Sequence, residues 1–227
     1  MGTRTRSALA VGLMMAALSA TTPAQAAVIG PGGAGAAPII GVLGTDPFAG
    51  VHGAPLATTV GSDIGGFLDA TAWAAVYRDT TTGFLDFYYQ VRPNSSPDPV
   101  YRETDVSFAG FITDLYQTPG GFGIFNIGAQ SSDTVDRSAG AGSTVGFNFG
   151  ADGSGTLDIG EMSFVKIIRT NATDFAGGFT NIIDGGTASV ATFAPTVVPV
   201  PEPGSMMLLG SGLLALATKA RRRLQRR

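Results

Sequence analysis

Apolar side chains alternate with polar ones in several short stretches of this 227-residue chain. Successive side chains of a β-strand point to opposite faces of a sheet, so this pattern predicts strands that bury one face. Residues 144–149 show this alternation of apolar and polar side chains, and short apolar runs follow at 164–168 and 188–193. Glycine, asparagine, aspartate and serine separate the stretches and indicate turns between antiparallel strands. In the clearest stretch, residues 85–92, the large apolar side chains at every second position are Leu85, Phe87, Tyr89 and Val91.

The strands predict an all-β fold, an antiparallel, jelly-roll-like β-sandwich spanning residues 66–193. The chain length favours one domain, and 33 glycines with only 14% charged residues agree with short strands and many turns. Residues 27–65 are rich in glycine, alanine and proline and are expected to be loosely structured, with one or two short strands such as one at 39–43. The aromatic side chains expected in the core are Trp73, Phe87, Phe108, Phe147 and Phe164.

Charge is distributed unevenly along the chain. All 17 acidic residues lie between positions 27 and 203, where only six residues are basic, so this region has a net charge of −11. Because nucleic-acid phosphates would repel such a surface, the composition argues against a nucleic-acid partner. The sequence has no cysteine, which excludes disulfides and cysteine-based metal sites or nucleophiles.

The N-terminal residues 1–26 have the three parts of a secretory signal peptide. Arg4 and Arg6 precede an uncharged, mainly apolar stretch at 8–20. Ala24, Ala26 and Ala27 frame a small-x-small cleavage site, and we expect signal peptidase to cut after Ala26. Export through the Sec machinery follows from this interpretation. The alternative is an uncleaved anchor, which the short apolar stretch and the good cleavage site disfavour.

The C-terminal region reverses this order of charge and apolar residues. Sixteen uncharged residues separate Glu202 from Lys219 and predict a transmembrane helix at 204–218. The alternative, a soluble amphipathic helix, is disfavoured because apolar side chains would surround the whole helix. Residues 219–227 are expected to form a cytoplasmic tail that stops transfer. The basic residues of this tail are Lys219, Arg221, Arg222, Arg223, Arg226 and Arg227.

Residues 194–203 are rich in proline and valine and are expected to form an extended stalk. The stalk ends in Pro201, Glu202 and Pro203, and because prolines fix φ and lack a backbone donor, this motif should stay accessible at the membrane surface. The motif, the apolar run and the basic tail together resemble the PEP-CTERM sorting signal of Gram-negative bacteria. The body also resembles, more loosely, a subset of PEP-CTERM proteins at 85–91, 155–161, 169–173 and 184–186.

The resemblance implies that an integral-membrane exosortase recognises and processes this chain near the motif. It further implies a membrane-tethered precursor, then placement at the cell surface or in the extracellular matrix, with a role in exopolysaccharide or biofilm. In such a protein Pro201, Glu202 and Pro203 belong to a substrate and carry no catalysis.

The body offers little that is typical of an enzyme. Its one histidine, His52, has no ligand set beside it in the sequence and is expected to be an exposed loop residue. No Gly-x-Ser-x-Gly or His-Glu-x-x-His motif occurs. The glycine-rich stretch 30–35 formally matches a dinucleotide fingerprint, but no strand pattern precedes it and no helix pattern follows. We therefore predict no catalytic residue and no cofactor.

Oxygen-bearing side chains leave three alternatives open. Asp152, Asp158 and Glu161 form a weak calcium candidate, although aspartate and glycine here also suit a simple turn. Exposed tyrosines could stack on sugars in a carbohydrate-binding module, although half-buried sheet tyrosines are commoner. A glycan hydrolase would need two carboxylates that face each other. Most of the candidate acids are instead expected to be solvated. The tyrosines are Tyr88, Tyr89, Tyr101 and Tyr116, and the acids are Asp86, Glu103, Asp105, Asp114 and Glu161.

Overall fold

The alternating stretches of the sequence form the long strands of the structure. A computed structural model describes residues 27–150 and 155–196, which contain strands and turns but no α-helix. The strands are β1 (Ala27–Val28), β2 (Ala34–Ala36), β3 (Ile39–Ile40), β4 (Ala57–Asp63), β5 (Asp69–Arg78), β6 (Leu85–Ser95), β7 (Arg102–Val106), β8 (Thr113–Thr118), β9 (Thr134–Arg137), β10 (Thr144–Asn148), β11 (Val165–Thr170), β12 (Asp174–Asp184) and β13 (Gly186–Thr196).

The strands form two sheets. Sheet A has the order β1-β8-β11-β6-β5-β4, with β3 added in parallel to β8. Sheet B has the order β13-β12-β7-β10-β9-β2. Every pairing between the thirteen strands other than that of β3 with β8 is antiparallel in the part of the chain that is described, which confirms the all-β, two-sheet prediction.

The main core lies between the two sheets. Phe87 and Tyr89 of β6 project from sheet A, and Phe147 of β10 projects from sheet B, all with at most 1% of their surface exposed. Phe108, in the turn after β7, is fully buried in the same cluster. The core positions predicted at 87, 108 and 147 are therefore confirmed. The side chains of β6 that face the other sheet are those that the alternation of its sequence predicts.

The outer face of sheet A is also covered, which the alternation does not predict. Two loop segments, residues 41–56 and 119–132, lie over it and enclose a separate apolar cluster that includes Tyr88, Phe125 and Ile167. Gln90 holds the second loop, 119–132, against the sheet through two hydrogen bonds. Its side-chain amide accepts one from the N–H of Asn126 at 2.9 Å and donates one to the carbonyl of Asn126 at 2.8 Å. Both faces of β6 are buried as a result.

Two predicted core aromatics lie elsewhere. Trp73 is only half-buried on the outer face of sheet A, where the guanidinium of Arg92 lies 5.8 Å from its ring centroid. Phe164 is also half-buried and precedes β11, which begins one residue later. Its backbone N–H donates to the carbonyl of Gln130 instead of joining the sheet. Their predicted burial was therefore wrong.

The segment expected to be loosely structured, 27–65, supplies β1, β2, β3 and β4. The strand predicted at 39–43 is present as the shorter β3, and residues 194–196 of the predicted stalk extend β13. The predicted signal peptide, stalk end, transmembrane helix and basic tail lie outside the described residues. Within 27–150 and 155–196, no helix has the length and apolar character needed to cross a bilayer.

Candidate functional site

Charged side chains gather on both faces of sheet A near its centre. The alternation of β11 places Lys166 on the inner face and Arg169 on the outer face. We call the outer group the arginine cluster, and its members are Asp46, His52, Asp79, Asp86, Asp114 and Arg169. We call the inner group the lysine cluster, and its members are Glu103, Asp105 and Lys166.

Arg169 is the centre of the arginine cluster. Its Nε donates to Oδ2 of Asp86 at 2.9 Å, and its Nη2 donates to Oδ2 of Asp79. The guanidinium also lies 4.3 Å from the ring centroid of Phe48, in a loop over the outer face. The side chain of Arg169 is 26% exposed, whereas those of Asp79 and Asp86 are almost fully buried. Arg169 is therefore the part of this ion-pair network that solvent or a ligand can reach.

His52 is buried, and its predicted exposure was wrong. Its Nε2 lies 2.8 Å from Oδ2 of Asp86, its Nδ1 lies 3.4 Å from Oδ2 of Asp46, and its side chain is 1% exposed. Burial opposes a charge on the ring, but the hydrogen bonds to Asp46 and Asp86 outweigh it and raise the pKa of His52 to about 9. Protonated His52 thus ties the loop at 41–56 to β6, because Asp46 belongs to that loop and Asp86 lies 34 residues away on the strand.

Tyrosine side chains complete the enclosure of His52. The ring of Tyr77 stacks on the imidazole with centroids 5.1 Å apart, and the hydroxyl of Tyr88 donates to Oδ1 of Asp46 at 2.7 Å. Burial and the Asp46 charge raise the pKa of both tyrosines, so both hydroxyls stay neutral, and that of Tyr88 acts as a donor. The imidazole is therefore closed off from any bound substrate.

Two shallow clefts flank Arg169. One of about 380 Å³ is lined by Phe48, Val51 and Asp79, among others. The other, of about 230 Å³, lies where β6 and β8 begin and β11 ends, and we call it the groove. The residues lining the groove are Thr82, Phe84, Asp86, Ile112, Asp114, Arg169, Thr170 and Asn171.

Asp114 contributes a carboxylate to the wall of the groove. Its Oδ2 accepts a hydrogen bond from the hydroxyl of Tyr116 at 3.0 Å, but its buried Oδ1 has no hydrogen-bond partner among the described residues. Burial raises the pKa of Asp114, although Tyr116 and Arg169 act in the opposite direction. Ile112 is 60% and Phe84 38% exposed beside it. A partly buried carboxylate next to apolar surface can accept a hydrogen bond from a polar ligand that also has an apolar face.

The lysine cluster is enclosed between the sheets. The Nζ of Lys166 on β11 lies 2.7 Å from Oε2 of Glu103 on β7, and neither side chain is exposed. Asp105 lies two residues along β7 on the same face, and its Oδ1 accepts a hydrogen bond from the hydroxyl of Thr180 at 2.6 Å. Within the described residues, no well-aligned hydrogen bond reaches the Lys166 amine, either oxygen of Glu103, or Oδ2 of Asp105.

Burial disfavours charge throughout the lysine cluster. It lowers the pKa of Lys166 and raises the pKa values of Glu103 and Asp105. The attraction between Lys166 and Glu103 opposes both shifts, while repulsion from Glu103 raises the pKa of Asp105 further. The cluster therefore holds an amine and two carboxyl groups that are all biased towards their neutral forms.

The other predicted residues are dispersed. The carboxylate of Glu161 accepts the N–H of Asp158 at 3.2 Å, while Asp152 lies outside the described residues. No group of three metal-ligating side chains forms within 27–150 and 155–196. Tyr101 is 55% exposed, whereas Tyr88 and Tyr89 are buried. The expectation that most of the candidate acids are solvated was wrong for Asp86, Glu103 and Asp105, which are all buried.

Lys166 and Arg169 were not singled out from the sequence, although one of them left a signal. Lys166 stands inside the apolar run 164–168 and is the only lysine between residues 27 and 218. A charged residue in the middle of an apolar strand indicates a buried partner. No comparable signal marked Arg169, because its two carboxylate partners are 83 and 90 residues away.

Comparison with known protein families finds a match at the C-terminal end. Residues 199–223 match the PEP-CTERM protein-sorting motif, a stretch that contains Pro201, Glu202 and Pro203. Neither curated proteins nor solved structures gave a match to the chain. The resemblance drawn from the proline motif, the apolar run and the basic residues is thus confirmed for this stretch. The chain carries a PEP-CTERM sorting signal, which marks an exported protein that is anchored in the membrane until an exosortase processes it.

Proposed function

We propose that this protein is a non-enzymatic component of the cell surface or extracellular matrix, associated with exopolysaccharide or biofilm. The observation that carries the proposal is the sorting motif at 199–223. The body is a β-sandwich with a strongly acidic composition, which suits an exposed structural domain. Delivery begins at the signal peptide, and exosortase processing near Glu202 releases the body from its membrane tether.

The geometry of the arginine cluster supports a non-enzymatic role. The only histidine of the chain is held between two carboxylates with 1% of its side chain exposed, so it has no access to a substrate proton. A glycan hydrolase needs two open carboxyl groups facing the scissile bond. Asp86 is 1% exposed and engaged by His52 and Arg169, so Asp114 has no free partner acid in the groove.

The sorting proposal is tested by the mass and location of the protein in cells with and without the exosortase. We expect wild-type cells to hold a form that lacks the C-terminal tail and lies outside the inner membrane. Cells without the exosortase should retain the longer, membrane-bound form. The Glu202→Ala variant should behave like the exosortase deletion, whereas Glu161→Ala in the body should be processed normally. An intact tail in wild-type cells would overturn the proposal.

The groove favours a second candidate function, binding of a neutral saccharide. Sugar hydroxyls are hydrogen-bond donors, and the carboxylate of Asp114 is an acceptor in the wall of the groove, beside the exposed faces of Phe84 and Ile112. Such a mixture of one or two polar contacts with an apolar wall is typical of small ligand sites. A neutral glycan fits better than an anionic one, because the region from 27 to 203 has a net charge of −11.

Titration calorimetry with neutral oligosaccharides tests this second function. Asp114→Ala should weaken binding by about tenfold to a hundredfold, the effect of losing a hydrogen bond to a charged acceptor. Asp158→Ala is the matched control, since it lies in the loop that bonds to Pro93 at the far end of β6. Equal affinity of Asp114→Ala and wild type, or no binding by either, would exclude the groove as a saccharide site.

A further inference from the structure

The folded part of the chain has a single lysine in an unusual place. Lys166 is the only lysine between residues 27 and 218, and its side chain is fully buried between the two sheets. Lysine is among the residues least often buried, and an amine in such a place needs a partner. Its ion pair with Glu103 is the contact that joins the middle of β11 in sheet A to β7 in sheet B.

The environment of Lys166 provides few of the contacts that stabilise a buried ion pair. Both oxygens of Glu103 and the amine lack a well-aligned hydrogen bond among the described residues. The nearest aromatic ring, that of Phe149, has its centroid 4.8 Å from Nζ. Leaving two such charges in an apolar core is unfavourable, whereas a neutral product of the same atoms would not be.

We propose that Lys166 and Glu103 react to form an intramolecular isopeptide bond between Nζ and Cδ. The neutral amine attacks the carboxyl carbon of the protonated Glu103, so a C–N bond forms. A C–O bond then breaks, and the hydroxyl leaves with a proton from Nζ as one molecule of water. Amine and carboxylic acid become amide and water, with no oxidant, reductant or other reactant.

The geometry brings the reacting atoms close together. An oxygen 2.7 Å from Nζ places Cδ within about 4 Å of it, because a C–O bond is about 1.2 Å long. Reacting atoms about 3–3.5 Å apart are in position to react, and such groups have effective concentrations of about 10⁵–10⁸ M. The remaining gap is about 0.5 Å, comparable to the ordinary thermal displacement of protein atoms. High effective concentration and exclusion of water both favour condensation over hydrolysis.

The protonation states required by the reaction are those that the site favours. Burial lowers the pKa of the amine and raises the pKa of Glu103, and the ion pair becomes the neutral pair when one proton moves between Nζ and Oε2. Asp105 is the neighbouring acid, but its Oδ1 is held by the hydroxyl of Thr180. Glu103 is therefore the acyl partner, because it contacts Nζ and has no other hydrogen bond among the described residues.

Such a bond would covalently join the two sheets of a protein that has no cysteine. Its effect would resemble that of a disulfide, since the unfolded chain would keep residues 103 and 166 together. The link would also survive reduction and denaturants. This inference is independent of the saccharide site and of the exosortase pathway.

Tryptic digestion of the full chain, purified from the cells that export it, gives a direct test. Cleavage after Arg102, Arg137 and Arg169 isolates two peptides, 103–137 and 138–169. We expect them to appear as one species whose mass is the sum of the two less one water, with no cleavage after Lys166. Fragmentation should place the link at Glu103. Separate peptides with cleavage at Lys166 would overturn the proposal, and a link at Asp105 would overturn the assignment of Glu103.

Amine labelling of the unfolded chain provides an independent readout. In guanidinium chloride the reagent should label Lys219 of any molecule that keeps its tail, but not Lys166. The Glu103→Leu variant should release Lys166 for labelling, even if this variant folds poorly, because labelling is done on unfolded protein. Loss of water by a succinimide at Asp152-Gly153 leaves the two peptides separate and is thus distinguished from the link. Full labelling of Lys166 in the wild type would contradict the proposal.

Discussion

The arginine cluster and the lysine cluster occupy opposite faces of the same sheet and differ in how their charges are satisfied. In the arginine cluster, His52 and Arg169 share the carboxylate of Asp86. Asp46 on His52 and Asp79 on Arg169 also accept backbone N–H donors. In the lysine cluster, the single ion pair of Lys166 with Glu103 stands almost alone. The first cluster lies under loops at a surface that solvent reaches, and the second lies in the core.

The difference arises because one strand, β11, places one cation in the core and another at the surface. Strand β11 turns Lys166 inward and Arg169 outward, three positions apart. Arg169 gains two carboxylates, an aromatic face and contact with solvent, so its charge remains stable there. Lys166 gains one carboxylate and loses water entirely. A network with many donors fixes loops in place, whereas an isolated buried pair is biased towards neutral forms and towards reaction.

The largest effect is expected when Lys166 is removed. Lys166→Met leaves Glu103 and Asp105 in the core without the amine and also removes the proposed cross-link, so the free energy of unfolding should fall by at least about 3–5 kcal/mol. Urea denaturation monitored by Trp73 fluorescence at pH 7 measures this change. The loss should exceed that of any single substitution in the arginine cluster, because only the inner pair is wholly removed from water.

The double variant Lys166→Met with Glu103→Leu is the control for this prediction. Apolar replacements of similar size remove the uncompensated charge, so the double variant should be more stable than Lys166→Met alone. If the two variants unfold at the same urea concentration, the buried carboxyl is not the source of the instability. The contrast between the two clusters would then need another explanation.

A smaller effect, specific to the outer face, is expected when pH rises. Because the pKa of His52 is raised from about 6.5 in the unfolded chain to about 9 in the fold, its stabilising contribution is complete below pH 6.5. This contribution disappears as pH rises through 9, with a loss of about 3 kcal/mol in the free energy of unfolding.

Urea unfolding at pH 6.5, 8 and 9.5 measures this loss. The matched control is His52→Gln, which keeps a polar side chain but cannot take up a proton. Its stability should lack the decline that the wild type shows between pH 6.5 and 9.5. If wild type and His52→Gln respond to pH in parallel, His52 is not held in its protonated form by Asp46 and Asp86.

The all-β fold could be predicted because it depends on local alternation. Strand β6 shows both the success and the limit of that reasoning. Leu85 and Phe87 face the other sheet as their spacing indicates, but Tyr88 and Gln90 are equally buried. Their burial depends on the loops at 41–56 and 119–132, and nothing in a period of two residues indicates where a loop will fold back.

The candidate site was harder to predict because its contacts are distant in sequence. His52 meets Asp86 across 34 positions, and Lys166 meets Glu103 across 63. The sequence placed both acids among possible paired carboxylates but could not assign a partner to either. The sorting motif was found more readily, since its proline pair, apolar run and basic cluster follow one another within residues 199–223.

The smallest effect on stability is expected from Arg169→Met, which removes a cation from the outer face as Lys166→Met does from the core. Asp86 keeps protonated His52, and Asp79 keeps the N–H groups of Thr81 and Thr82. The free energy of unfolding should fall by about 1–2 kcal/mol, because Arg169 is partly exposed and both of its buried carboxylate partners keep other hydrogen-bond donors. Urea denaturation beside Lys166→Met provides the direct comparison. A loss as large as that of Lys166→Met would mean that exposure to solvent does not separate the two clusters.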